Sequence, residues 1–540
     1  MGDDQPQITA NPTIQSFQNL PKFFSGSTFY NGGQQQFRAN FYRPLDSTFY
    51  SLIYTLFGPN AFVFHLVLIT LSIANACLVF LIFKQFFRKS IAFILSLIFL
   101  IHPINSEVAF YISDMQDVLF LFFGISALLI LQSYTSKKFL FMASLLLFFS
   151  LLSKETGALF IIIAVIYVYM FMRKYFYRWI IYLLPMIGIY LILRISAIGI
   201  FTKLVVHAPI DKLDLLTRSF NMPAIFFFYI KSFIFPLTLS SSYYWVYTHI
   251  NFSDFFLPLL IDLFFLIVLF YIAFLLYKKH DRKYFSFYIF FTAWFLLGIL
   301  FHIQILPLEQ TVSVRWFYFP VIGVLGIIGC LLDTNHNKTI VAWTFIVTAI
   351  IIFLFSVRTM VRSSDWRNNI TLANHDIVVS KESYDLEDIL GYEYMKEGQF
   401  KEAKTHFDKS IKIYPSVEAY DNLGVLYMSQ GNYHEARNAF NMALTLGNNY
   451  MVYENLASLD ILSGIKPDAV NFIKFALSKY PNDAKLWEYL AYVDYKLNNV
   501  QEAKIAISTA YTYQKSAEIT NIYLLIMNNQ PLNLRYSVKP

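Results

Sequence analysis

The sequence predicts an all-α chain in two parts: a polytopic helical membrane domain, then a solenoid of short helix pairs. Three observations predict it. The 540 residues are 57% hydrophobic and only 14% charged, where a soluble chain carries about a quarter. The charges are sparse up to about Val357, then dense and mixed in sign. The second part also repeats itself every 33 to 34 residues.

Net charge is +7, from 42 Lys and Arg against 35 Asp and Glu. Much of the excess sits in short loops between apolar runs, where it reports topology, so no nucleic-acid partner is expected. Cys77 and Cys330 lie far apart in apolar runs, which argues against a disulfide framework or a zinc site. The polar start, MGDDQPQITANP, has no signal-peptide pattern.

Residues 1–60 read as a first outer loop, punctuated by Asn11-Pro12, Pro21 and Gly32-Gly33. Asp46–Phe57 is aromatic and amphipathic, too polar to span, and is expected as an interfacial helix. Residues 61–357 form the membrane domain. Its apolar runs predict spans at 61–83, 90–102, 116–133, 139–153, 156–172, 179–199, 254–277, 284–305, 315–332 and 339–357. Alternate connectors are basic: Lys84, Arg88 and Lys89; Lys137 and Lys138; Arg173, Lys174 and Arg178; Lys278, Lys279, Arg282 and Lys283; Lys338. The positive-inside rule makes these cytoplasmic, and the acid-, His- and Pro-bearing connectors outer. The alternation requires that Phe220–Leu239, with Pro223, Lys231 and Pro236, does not cross. It is expected as a re-entrant or interfacial element within an outer segment, 200–253; the alternative is an eleventh span that inverts everything after it.

Residues 358–385 read as a connector, and 386–540 as repeats. Leu390-Gly391, Leu423-Gly424, Leu456-Ala457 and Leu490-Ala491 step by 33, 33 and 34 residues. Each pair precedes a turn residue (Gly398, Gly431, Gly464, Asn498) and then an alanine. That is a tetratricopeptide period, two antiparallel helices per unit. Such arrays bind extended protein segments, or only brace their neighbours.

The outer connectors hold the candidate chemistry. The stretch His102–Asp117 carries His102, Glu107, Asp114 and Asp117, with Gln116. Asp3-Asp4 open the chain, Arg43-Pro44 close the first loop, Lys154-Glu155 sit in a tight connector, and Arg315 opens VRWFYFP. An outer carboxylate can take a proton from an acceptor hydroxyl, and Arg or Lys can clamp a phosphate. The plainer readings are a solvated loop, a snorkelling Arg315 and a self-neutralising Lys154-Glu155 pair.

In order, these motifs are Asp-Asp, Tyr-Arg-Pro-Leu, His-Pro-x-x-x-Glu, Lys-Glu, Arg-x-x-Tyr-x-Pro, Asp-Trp-Arg and the repeats. The series resembles the transmembrane and tetratricopeptide-repeat O-mannosyltransferases and their prokaryotic relatives, of the GT-C glycosyltransferase class. The resemblance implies inverting transfer of a sugar, often mannose, from a polyprenyl- or dolichyl-phosphate donor to a protein Ser/Thr hydroxyl. Asp3, at the family's acidic motif, would be the base, with Asp4 beside it. Arg315 would bind the donor phosphate, with Lys154 and Arg43. His102, Glu107, Asp117 and Glu155 would shape the sugar or acceptor side.

No cofactor is implied with certainty, and no metal is indicated. The expected partners are the lipid-linked donor, the bilayer and a protein acceptor held by the repeats. Repeats and active site are both expected on the non-cytoplasmic side of a multi-pass protein. The family places a membrane span before its acidic motif, so a preceding span is expected here. Val314 and Met115-Gln116 depart from the family's Glu and Arg. The alternative function is a membrane-anchored repeat scaffold without catalysis; a transporter would need ionisable groups at midplane, and Arg194 and Lys231 are too few.

Overall fold

A computed structural model describes residues 4–28, 41–199, 208–334, 338–465 and 467–532. The described residues are helical, with no strand among them beyond an isolated antiparallel bridge, Tyr243 to Val312. They form two compact units: most of the chain up to Lys381 makes the first, and the chain from Glu382 together with Asn11–Thr13 makes the second.

In the first unit, after α1 (Leu20–Ser25), come α2 (Pro44–Phe57), α3 (Ala61–Phe86), α4 (Lys89–Ile101), α5 (Ser106–Phe110), α6 (Met115–Ser133) and α7 (Lys137–Ser153). Next are α8 (Ala158–Phe171), α9 (Phe176–Ile198), α10 (Leu215–Ser219), α11 (Met222–Ile234), α12 (Leu257–Lys278) and α13 (Arg282–Leu300). The unit closes with α14 (Pro320–Asp333), α15 (Lys338–Asp365) and α16 (Asn369–Val379). A helix falls on each of the ten expected spans.

Among the described residues, six helical segments are long and apolar enough to cross a membrane. They are Ala61–Phe86, Ile112–Ser133, Arg173–Ile198, Phe252–Lys278, Arg282–Leu300 and Ala342–Asp365. Six of the ten expected spans therefore reach crossing length. The other four, α4, α7, α8 and α14, have 13, 17, 14 and 14 residues. At about 1.5 Å per residue they fall short of a ~30 Å hydrocarbon layer. Only α4, taken with the segment after His102 and a 50° bend, adds a seventh. The 13-residue α11 is also too short to cross, which agrees with the reading of 220–239.

Glycine sets the closest packing. A Cβ on Gly323 of α14 would lie 2.5 Å from the Phe295 backbone nitrogen of α13, so only glycine lets these helices touch. Around them the aromatics interlock: the Phe86 ring lies 4.8 Å from Phe287 and 5.0 Å from Phe291. By contrast α12 and α15 leave Phe264, Ile267, Phe270, Ile350 and Phe353 exposed, an apolar outer surface of the kind that marks an interface with lipid or protein.

The ends of the bundle sort by charge. At one end Arg88 bonds Asp333 at 2.6 Å and Tyr284 donates to the same carboxylate at 2.6 Å, tying the α3–α4, α12–α13 and α14–α15 connectors. At the other end lie the connectors bearing Arg43, His102–Asp117, Lys154-Glu155 and Arg315. The end of α15 joins them through Thr359 to the Ile101 carbonyl (2.7 Å) and Arg358 to that of Leu237 (2.9 Å). The expected 358–385 connector is thus helical: α15 runs on to Asp365 and α16 follows within the first unit.

The described residues of the expected first outer loop contain helical turns, including α1. Its helix α2 inverts ordinary amphipathicity. Asp46, Ser47, Tyr50 and Ser51 are buried, while Leu52, Leu56 and Phe57 are exposed.

The second unit is a solenoid. Its helix pairs are α17 (Tyr384–Lys396) with α18 (Phe400–Ile413), α19 (Val417–Ser429) with α20 (Tyr433–Leu446), α21 (Tyr450–Leu462) with α22 (Pro467–Lys479), and α23 (Ala484–Lys496) with α24 (Val500–Tyr513); α25 (Ala517–Met527) follows. Gly398, Gly431, Gly464 and Asn498 turn each pair with positive φ, +75°, +76°, +107° and +65°, the region that tolerates Gly and Asn. Units are laced by Asn422 donating to Asp388 at 2.9 Å, and Asn455 to Asp421 at 2.9 Å.

Candidate functional site

The candidate site lies at the Arg315 end of the first unit. Pro44 pre-sets the first turn of α2 and leaves Arg43 just before it, its side chain free to turn inward. Arg43 Nε donates to Glu155 at 2.9 Å, the Tyr42 backbone N–H binds the other Glu155 oxygen at 3.0 Å, and Arg43 also reaches Gln116. Lys154 Nζ sits 2.7 Å from both oxygens of Asp117. Lys154 and Glu155 therefore do not neutralise each other: each leaves the tight connector toward a different partner. Arg315 meets Asp114 at 3.2 Å, Glu107 at 3.5 Å and Glu309 at 2.9 Å. Of these only Glu309 is substantially exposed, its side chain 47% accessible.

These pairs act on one another. Asp117 influences Asp46, Asp114 and Arg315 electrostatically, and Glu309 influences both Arg43 and Arg315. Arg43, Lys154 and Arg315 are thus brought together, each balanced by carboxylate. Such buried ions persist only when paired.

Asp4 joins through Ser113, whose backbone N–H and hydroxyl donate to it at 3.0 and 2.6 Å. Ser113 precedes Asp114, so Asp4 is tied to the Arg315 pair. Asp3 lies outside the described residues. His102 has a different place: its Nδ1 accepts from the Ile104 N–H at 3.1 Å and its Nε2 lies 3.0 Å from the Phe233 carbonyl. It stacks on Phe233 at 4.9 Å, and backbone groups hold both nitrogens, so it joins α4 to α11.

Sequence reasoning passed over Asp46. It is wholly buried, and neither carboxylate oxygen has a hydrogen-bond partner. Burial raises its carboxyl to about 8, against the pull of Arg43 and Lys154. The signal was an aspartate three residues after Arg43 on one helical face.

A second cluster was flagged only by Asp365-Trp366-Arg367. Arg362 holds Asp376 with two bonds, 2.6 and 3.0 Å, and Asp365 at 3.2 Å. Asp376 also accepts from the Ser241 N–H and hydroxyl at 2.7 and 2.8 Å. Among the described residues no three His, Cys, Asp or Glu converge as metal ligands.

Tetratricopeptide-repeat family models match residues 389–416 and 417–450. The matches fall on the first two helix pairs of the second unit, so the chain carries tetratricopeptide repeats. No curated protein matches the chain.

Proposed function

We propose that the chain is an inverting membrane glycosyltransferase. It would move a sugar, often mannose in the family it resembles, from a polyprenyl-phosphate donor to a protein Ser/Thr hydroxyl. The observation that carries this reading is the gathering of Arg43, Lys154 and Arg315 among carboxylates at the end of an apolar bundle. An anionic lipid headgroup needs such cations where the bilayer ends, and an acceptor hydroxyl needs a carboxylate. The six apolar helices and their exposed outer faces support a multi-pass placement. The basic connectors would be cytoplasmic, and the cation cluster and repeats non-cytoplasmic.

The chemistry is a single displacement. The acceptor oxygen bonds to C1 as the C1–O bond to phosphate breaks. The lipid phosphate leaves with the bonding electrons, and the hydroxyl proton passes to a carboxylate. Arg315 accommodates the phosphate by exchanging Glu309, its exposed partner, for phosphate oxygens. The repeats would hold the protein acceptor. A repeat scaffold without catalysis has no use for the cation cluster, whose burial costs stability.

Arg315→Lys tests the role, since it keeps the charge but loses the fork. We expect the donor KM to rise about tenfold, some 1.4 kcal/mol of binding, with the acceptor KM little changed. A donor KM equal to the parent's rejects Arg315 as the phosphate ligand.

A further inference from the structure

We infer that Asp46 is the base of this site, the carboxylate that takes the proton from the acceptor hydroxyl. The inference rests on the transferase reading above and goes beyond the acidic motif at the chain's start. The neighbouring carboxylates each hold a hydrogen-bond or ion-pair partner. Glu155 is held by Tyr42 and Arg43. Asp117 gives both oxygens to Lys154. Asp114, Glu107 and Glu309 share Arg315. Asp4 accepts twice from Ser113. Among the described carboxylates of the cluster, Asp46 is the one with both oxygens buried and unbonded.

A buried polar group without a partner costs stability, so the site retains an acceptor that folding does not use. The charged groups acting on it are Arg43 at its own helix start, Asp117 of α6 and Lys154 after α7; the Tyr50 hydroxyl one turn on also favours its charged form, but that hydroxyl donates its hydrogen bond to the Ile112 carbonyl at 2.9 Å. A proton acceptor near 8 is well matched to a hydroxyl at neutral pH, whereas an exposed aspartate near 4 is a weak base.

Asp46 is sealed in this state. Arg43 lies three residues before it and holds Glu155, whose side chain is 28% exposed and forms the outward member of the pair. A donor phosphate that draws Arg43 from Glu155 also moves the cation that acts most strongly on Asp46, so donor binding and the base are coupled through Arg43. The acceptor O–H then loses its proton to Asp46 as its oxygen bonds to C1, and the lipid phosphate departs.

The test uses the full chain in detergent with polyprenyl-phosphate mannose and a Ser/Thr peptide. The parent's kcat/KM should rise with pH toward a plateau above about 8. Asp46→Asn should lose on the order of 100-fold in kcat with donor KM within about twofold, and the residual rate should no longer follow that limb. Asp46→Glu should recover part of the rate. Asn mimics the neutral carboxyl in shape, and infrared spectra at pH 7 should show a protonated carboxyl that Asp46→Asn lacks. An Asp46→Asn protein with parental kcat and pH limb, or an ionised Asp46 at pH 6, overturns the assignment while leaving the transferase reading intact. A parent that folds but transfers nothing overturns both.

Discussion

Asp46 and Asp376 are both fully buried, and their surroundings drive them in opposite directions. Burial dominates at Asp46, outweighs the pull of Arg43 and Lys154, and lifts it to about 8. Burial also opposes charge on Asp376, but hydrogen bonds from His375, Arg362 and Ser241 outweigh it and hold the carboxyl below its ordinary range. The consequences for stability have opposite sign. Asp46 keeps a proton that the unfolded chain releases, so its contribution falls as pH rises from about 4 to about 8. Asp46→Asn should therefore gain in urea midpoint over the parent across that window, the gain levelling off above it. A constant difference from pH 4 to 8 would show that Asp46 is ionised in the folded chain. Asp376 contributes above its unfolded value, near 4, and loses the contribution on acidification. Asp376→Asn should cost about 3–5 kcal/mol at pH 7, because Arg362 is left short of its partner, and the cost should shrink below pH 4. A neutral effect at pH 7 would mean that the pair is dispensable. The sequence named Arg43, Lys154, Arg315 and most of their carboxylate partners because charge in an apolar chain stands out. It did not show the pairing. Lys154-Glu155 reads as a self-cancelling dipeptide, yet a tight connector turns the two side chains toward Asp117 and Arg43.

Helices are legible from hydropathy where the run is short as well as where it is long: the apolar stretches mark α4, α7 and α8 to within a residue or two, and begin α14 early, at 315 against Pro320. Their packing is set by features that hydropathy ignores, such as Gly323 against Phe295. Periodicity marks α2 as amphipathic but not which face turns inward: here Asp46, Ser47, Tyr50 and Ser51 do. The repeats were legible in full because four units give the same evidence. They also offer the cleanest element-scale prediction. A Cβ at Gly424 would stand 2.5 Å from the Phe440 ring, so Gly424→Val should destabilise the second unit by about 1–3 kcal/mol. Circular dichroism in urea would show it, and an unchanged midpoint would mean that α19 and α20 separate freely.

At the scale of the molecule, the two ends of the first unit carry the topology. Lys279 lies at the α12–α13 turn, toward the Arg88–Asp333 end, and Leu306 precedes the Arg315 cluster; both are exposed, as is Lys412 in the repeats. Single cysteines at these positions, with Cys77 and Cys330 replaced, should label from opposite membrane faces for 279 and 306, and from one face for 306 and 412. Labelling of 279 and 306 from one face would dissolve the alternation. Removing residues 386–540 should spare transfer to a short peptide and impair transfer to a folded protein; equal loss on both would assign the repeats a bracing role.

Group transfer itself is tested by its stereochemistry. The purified chain is given polyprenyl-phosphate mannose and a Ser/Thr peptide, and the product's anomeric configuration is read by NMR. A single displacement predicts mannosyl peptide inverted at C1, released with free polyprenyl phosphate. Retained configuration, or no product from a folded chain with any polyprenyl-phosphate sugar, would contradict it.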